Sequence, residues 1–101
     1  MRFPLTFNSH KVFDMLLHFE LVTPERAVFS TDAHMVVVPG SEGDMGILAG
    51  HAPVMTTIRD GEIRVYSNPT TIVQRITVAG GFAEVNERGL TVLAERATVV
   101  T

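Results

Sequence analysis

Apolar and polar side chains alternate in short runs along this chain, and this period-two pattern limits the possible folds more than any other feature. It is clear at Leu17–Val22 and at Thr71–Ala79, where alternate residues are largely apolar. Such alternation is typical of a β-strand with one buried face. No window of ten or more residues shows the 3.6-residue period of an amphipathic helix. The pattern therefore predicts an all-β chain.

Turn signals separate the alternating runs at intervals of about 8–12 residues, which leaves room for about ten short strands. The predicted fold is an antiparallel β-sandwich. The Asp60-Gly61 pair between apolar runs predicts a tight hairpin, and Gly80-Gly81 predicts a bend or bulge within a strand. The predicted core consists of Phe19, Leu21, Phe29, Val36, Val38, Ile47, Val54, Ile58, Ile63, Val65, Ile76, Val78, Phe82, Val85, Val92 and Leu93.

The length of 101 residues fits a single domain. Residues 1–14 show no period and are predicted to be a flexible leader, whereas residues 15–101 carry the β pattern. Arg2 is not followed by the apolar core of a signal peptide, and no apolar run approaches the ~20 residues of a membrane-spanning helix. Direct insertion into lipid is therefore not expected.

The charge balance argues against a nucleic-acid-binding protein. The net charge is −3, and from Met15 onward six arginines face ten acidic residues. Lys11 is the only lysine, so the sequence offers no basic stripe for phosphates. Cysteine is absent, which excludes disulfides and thiolate metal sites.

The segment Pro39–Pro53 holds four of the eight glycines. Their spacing does not form a G-x-G-x-x-G motif, and no helix that could bind a phosphate at its N-terminus is predicted behind them. We therefore interpret these glycines as turn residues.

Few side chains suggest catalysis. Glu42 and Asp44 could form an acid–base pair, but a predicted exposed turn favours a solvated acidic turn or an acidic contact surface. His51 is interpreted as a hydrogen-bonded turn residue or a contact residue, and the four histidines lack metal-ligand spacing. The serines lack a G-x-S-x-G context. The residues alone indicate an interaction domain and not an enzyme.

Four stretches in this order resemble the epsilon subunits of F-type ATP synthases, the counterparts of the mitochondrial delta subunit. They are Phe19–Arg26, Val38–Ile47, the Gly-His-Ala-Pro run at Gly50–Pro53, and Ala79–Val85 followed by Thr91–Glu95. Together they cover nearly all of the chain from Leu16 to Val100.

The resemblance implies an epsilon-type β-sandwich without the C-terminal helical hairpin of the family. It implies a non-catalytic central-stalk subunit that links the gamma subunit to the c-ring and couples proton flow to ATP synthesis. The alpha/beta head would be a partner only through such a hairpin, and no cofactor is implied. The expected location is peripheral, on the cytoplasmic face of the bacterial inner membrane.

The resemblance also assigns contacts by position. The c-ring contact is expected at Ser41, Glu42, Gly43 and Asp44, and the gamma contact is expected at Thr23, His51, Ala52 and Pro53. Two other hypotheses stay open at this stage. One is a general β-sandwich module that binds proteins or carbohydrates, and the other is a small metal-dependent β-barrel enzyme. The scarcity of Trp and Tyr speaks against a carbohydrate platform.

Overall fold

The computed structural model describes residues 16–101, which form eight β-strands. The predicted leader, residues 1–14, lies outside the described residues. The described chain contains no helix that is long and apolar enough to cross a membrane. The strands are β1 (Leu17–Thr23), β2 (Arg26–Ala33), β3 (Met35–Gly40), β4 (Gly43–Leu48), β5 (Val54–Thr57), β6 (Gly61–Asn68), β7 (Thr71–Asn86) and β8 (Gly89–Val99).

The strands form one connected sheet that folds over into two layers. Their order is β2-β1-β8-β7-β6-β3-β4, and β5 pairs with β7 outside this path. Residues 71–78 of β7 pair with β6, whereas residues 82–85 pair with β5. The buried side chains of both halves share one apolar core. The predicted all-β sandwich is confirmed.

The strand count is eight because β7 and β8 are each longer than predicted. Thr71–Ala79 and Phe82–Val85, predicted as separate strands, are parts of β7. Leu90–Ala94 and Thr98–Val100 likewise lie largely within β8. One pair departs from the antiparallel prediction, since β1 runs parallel to β8.

The predicted bend at Gly80-Gly81 lies where β7 passes from one layer to the other. Both glycines have positive φ angles, 56° and 121°, which side chains with a Cβ rarely adopt. The amide of Ile58 donates to the carbonyl oxygen of Gly81 at 3.0 Å. This bend allows one strand to serve both layers.

The hairpin predicted at Asp60-Gly61 is wrong. The strands on its two sides do not pair with each other, since β5 pairs with β7 and β6 pairs with β3 and β7. Ile58 forms an isolated bridge with Gly40, and the chain then crosses to the other layer. An Asp-Gly pair indicates that the chain turns, but it does not determine whether the strands before and after it pair with each other.

Twelve of the predicted core side chains are buried, but Phe82 and Leu93 are 51% and 50% exposed. Phe29 and Val54 are partly buried and pack against the core. The error at Phe82 follows from the bend in β7. Before it the buried residues have even numbers, such as Val78, and after it they have odd numbers, such as Ala83. Phe82 therefore points outward.

Candidate functional site

The turn between β3 and β4 forms an acidic hairpin tip, which we define as Gly40–Asp44. Gly40 pairs with Gly43, so Ser41 and Glu42 make a two-residue turn. Gly43 has a φ of 138°, and the residues from Ser41 to Asp44 are exposed. The sequence-predicted contact residues Ser41, Glu42, Gly43 and Asp44 are therefore brought together on one projecting turn.

The hairpin tip is fastened to the end of β5. The amide of Ser41 donates to the carbonyl oxygen of Thr57 at 3.0 Å, and the Thr57 hydroxyl donates to the Ser41 hydroxyl oxygen at 2.9 Å. The bridge between Gly40 and Ile58 adds a third attachment. A turn supported by a neighbouring strand loses less conformational freedom on binding than a free loop.

Both carboxylate oxygens of Asp44 are bound by arginines. Arg59 donates from Nη2 to Oδ1 at 2.7 Å, and Arg64 donates from Nη2 to Oδ2 at 3.0 Å. Arg59 also donates from Nη1 to the carbonyl oxygen of Gly40. This network was not predicted, because its members lie 15 and 20 residues apart in sequence.

Glu42 differs from Asp44 in having no hydrogen bond or ion pair with any side chain between residues 16 and 101. It lies in the exposed two-residue turn, next to Ser41. The two carboxylates of the predicted acidic turn are therefore unlike groups. Arginines hold one carboxylate, and the other faces solvent.

His51 begins the second predicted contact segment, His51–Pro53, at the opposite end of β4 from the hairpin tip. Its ring nitrogen Nδ1 lies 2.7 Å from the carbonyl oxygen of Ala52, and its amide donates to the carbonyl oxygen of Leu48 at 3.1 Å. The role predicted for His51 as a hydrogen-bonded turn residue agrees with this geometry. Ala52 and Pro53 are exposed.

Thr23 is not beside the His51–Pro53 segment. His51 lines a small cleft with His18, and Thr23 lies further along β1, about 16 Å from His18 at the usual rise of a strand. The side chain of Thr23 is 8% exposed, and its hydroxyl donates to the carbonyl oxygen of Arg26 at 3.3 Å. Its side chain therefore stabilises the β1–β2 turn.

An apolar outer face, which we define as Met55, Phe82 and Leu93, lies on the neighbouring strands β5, β7 and β8. The three side chains are 64%, 51% and 50% exposed. Phe82 pairs with Leu93 across β7 and β8, and Pro24 lies beside both. Met55 follows closely after Pro53 on β5. Exposed apolar side chains grouped in this way are typical of a protein-binding surface.

Sequence reasoning missed this face because it placed Phe82 and Leu93 in the core. One signal could have found part of it. Val92 and Leu93 are neighbours on one strand, so their side chains must point to opposite faces of the sheet. They cannot both belong to one buried face.

His18 lies between two carboxylates on the outer surface of β1 and β2. Its Nδ1 is 3.0 Å from Oδ1 of Asp32, and its Nε2 is 3.1 Å from Oε2 of Glu20. The hydrogen bond with Asp32, and after it the one with Glu20, raises the pKa of His18 above its ordinary value. Protonation of His18 and stability of the fold are therefore linked.

The described chain shows no centre for metal chemistry. Within residues 16–101 no three His, Cys, Asp or Glu side chains form a group that could hold a metal ion. Its distinctive features are instead a fastened acidic turn and an exposed apolar face on a stiff sheet. Fold and surfaces together define a β-sandwich domain of the kind that makes protein–protein contacts.

The chain belongs to the ATP synthase delta/epsilon chain β-sandwich domain family, whose sequence profile matches residues 16–100. It is 65% identical over 79 residues to the ATP synthase epsilon chain of Parvibaculum lavamentivorans, covering 78% of this chain and 59% of that relative. It is 54% identical over 81 residues to the epsilon chain of Caulobacter vibrioides, covering 80% of this chain and 92% of that relative. The chain thus spans about three fifths of the first relative and most of the second.

The fold also resembles a chain in the cryo-EM structure of the Euglena gracilis mitochondrial ATP synthase comprising OSCP, F1 and the c-ring. The TM-score is 0.74 at 22% identity, covering 83% of this chain and 53% of that chain. At this identity the likeness concerns the fold.

Proposed function

We propose that this chain is a non-catalytic rotor subunit of an F-type ATP synthase, joining the gamma subunit of the central stalk to the c-ring. The family match over residues 16–100 carries the proposal. The epsilon-chain names of the bacterial relatives support it. The proposed location is peripheral, on the cytoplasmic face of the inner membrane. In this role the domain transmits torque between two partners and performs no chemistry.

The c-ring contact is proposed at Ser41–Asp44 within the acidic hairpin tip. This turn projects from the sheet, and hydrogen bonds to Thr57 fasten it. A contact that transmits torque needs stiffness, because a flexible loop would absorb the rotation as local motion. Each exposed charge at its rim would contribute modestly, about 0.2–1 kcal/mol.

The gamma contact is proposed along the apolar outer face, from His51–Pro53 at one end to the Thr23–Pro24 turn at the other. Phe82 and Leu93 line one shallow cleft with Pro24, and Met55 is exposed on the neighbouring strand β5. An interface of this kind draws most of its binding energy from a few apolar anchors, and the largest exposed anchor is Phe82. Thr23 would act through its turn, since its own side chain is buried.

The hairpin tip and the His51–Pro53 segment lie at opposite ends of β4, as an adaptor between two subunits requires. The tip includes the first residues of β4, and the His51–Pro53 segment follows its last residue. Torque would pass through the hydrogen-bonded sheet between them. The carbohydrate-binding alternative has less support, since among residues 16–101 Phe82 is the one exposed aromatic side chain and cannot form a platform alone.

The test is co-elution of the purified chain with the gamma subunit and with the c-ring of the same source. We expect the wild-type chain to bind both. Phe82→Ser should weaken gamma binding at least about fivefold without lowering the melting temperature appreciably, because Phe82 is an exposed anchor. Val73→Ser is the matched control, since Val73 lies on the same strand and is 47% exposed away from the apolar outer face.

A folded wild-type chain that binds neither partner would refute the proposal. If Phe82→Ser and Val73→Ser weakened gamma binding equally, the apolar outer face would lose its assigned role. The c-ring measurement uses a different partner, so each contact has its own assay.

A further inference from the structure

We infer that Asp44 is a positioning residue of the hairpin tip and that Glu42 is the carboxylate presented to a basic group on the partner. The inference rests on the proposed function, because the partner is the c-ring. It revises the sequence-based expectation that both carboxylates contact the c-ring. The intrachain network of Asp44, Arg59 and Arg64 carries the argument.

The first step concerns the geometry of Asp44. Each of its two carboxylate oxygens accepts a hydrogen bond from a different arginine, at 2.7 Å and 3.0 Å. A carboxylate has further lone pairs, but these bonds fix its orientation toward Arg59 and Arg64. A partner cation approaching Asp44 would have to compete with two charged donors that are already in place.

The second step concerns charge. Arg59 and Arg64 carry two positive charges and Asp44 carries one negative charge, which leaves one positive charge on the trio. The trio as a whole therefore presents no net negative charge to a basic partner group. Glu42 carries a full negative charge with no intrachain partner among residues 16–101. Glu42 would therefore attract a basic partner group, which the trio would not.

The third step concerns what the trio holds together. Arg59 donates from its side chain to the carbonyl oxygen of Gly40 and from its amide to that of Pro39 at 2.8 Å. Asp44 thus connects the hairpin tip to the crossing segment after β5, and through Arg64 to β6. Removing the Asp44 carboxylate would leave two arginines to repel one another and would loosen the turn that carries Glu42.

The experiment measures binding of the full chain to purified c-ring with bound gamma, at low and at high salt. A set of variants is compared with the wild type, and the melting temperature of each variant is also measured. Glu42→Gln and Asp44→Asn remove one charge each. Arg59→Met removes one of the two arginines that bind the Asp44 carboxylate. Asp44→Glu is the conservative variant. Arg75→Met is the control, because Arg75 pairs with Glu62 at 3.0 Å on the neighbouring strands without touching the tip.

We expect Asp44→Asn and Arg59→Met each to weaken c-ring binding about two- to fivefold, in line with exposed ion pairs. The double variant should be no weaker than either single variant, because both break one network. Asp44→Glu should restore binding to within about twofold, and Arg75→Met should not change it. Glu42→Gln should weaken binding and reduce its salt dependence, because it removes the carboxylate assigned to the partner.

The sign of the Arg59→Met effect separates the two possible roles of Asp44. If Asp44 contacted the partner directly, removing Arg59 would release its carboxylate, and binding would be unchanged or tighter. That result would overturn the inference, as would Asp44→Asn with wild-type binding, while the proposed function would stand. A folded wild-type chain that fails to bind the c-ring would overturn the proposed function and the inference with it.

Discussion

Replacing Gly81 by Ala should destabilise the sandwich severely, because this glycine lies where β7 passes between the layers. Its φ of 121° is a backbone conformation that side chains with a Cβ rarely adopt. A Cβ at this position would overlap the carbonyl oxygen of Leu93 and come within 2.9 Å of the Ala94 Cα. Both obstacles are backbone atoms of the paired strand, which cannot rotate away as a side chain does.

The magnitude follows from two contributions. Backbone strain of this kind costs about 1–3 kcal/mol, and forcing extra atoms into a packed region costs a further ~1–3 kcal/mol. The sum of about 2–6 kcal/mol is a large part of the ~5–15 kcal/mol that stabilises a typical domain. For a domain of this size the melting temperature should fall by at least about 8 °C.

Urea unfolding followed by circular dichroism measures the effect, with Gly46→Ala as the matched control. Gly46 lies in β4 without a positive φ, and the nearest atom to an added Cβ is the Met35 sulfur at 3.4 Å. The control should stay within about 1 kcal/mol of the wild type. A Gly81→Ala chain that unfolds within about 1 kcal/mol of the wild type would refute the reasoning about the bend.

Two further predictions concern β1 and β8. His18→Gln should lower the melting temperature at pH 5.5 by about 1–4 °C relative to the wild type, and the difference should shrink at pH 8.5. The pKa of His18 is raised in the folded state, so its stabilisation is present below about pH 6.5 and is lost as the pH rises through the folded-state pKa. A difference in melting temperature that grows toward pH 8.5 would contradict this. Leu90→Ala should cost about 2–5 kcal/mol in urea unfolding because Leu90 is 1% exposed, whereas Leu93→Ala should cost less than about 1 kcal/mol. Equal losses would mean that both leucines face the core.

The period-two pattern was sufficient to predict the architecture, because alternation over several residues reports burial of one face directly. At β1 the alternation of apolar and polar residues in the sequence matches the alternation of buried and exposed side chains from Leu17 to Leu21, whereas at the end of the strand Val22 is half-buried and Thr23 is buried. Turn signals at Asn68-Pro69 and Asn86–Gly89 were also informative. The side chains of Asn68 and Asn86 accept hydrogen bonds from amides two residues further along the chain, which stabilises these turns locally.

Features that depend on distant parts of the chain could not be predicted in the same way. The bend at Gly80-Gly81 shifts the buried set from even to odd positions, and nothing local to Phe82 reports this shift. The pairing of β5 with β7 instead of β6 depends on the bridge from Ile58 to the other layer. Strand partners are decided by packing between the layers, which short-range turn chemistry does not encode.

The candidate site was only partly predicted, because some of its contacts join distant parts of the chain. The segment Pro39–Pro53 was identified from its glycines, and the structure places its acidic part on a projecting turn. The arginines that hold Asp44 come from the crossing segment after β5 and from β6, and their approach depends on the folded sheet. The sequence therefore predicted the position of the turn but not the different environments of Glu42 and Asp44.

The most direct test of the adaptor role is site-specific cross-linking in the assembled ATP synthase. Because the sequence contains no cysteine, a photoreactive group can be attached at one introduced cysteine. We expect Glu42→Cys to cross-link to the c subunit and Phe82→Cys to cross-link to gamma. Thr70→Cys, in the exposed turn between β6 and β7, is the control and should give neither product. Cross-links from both positions to one subunit, or to neither, would contradict the account.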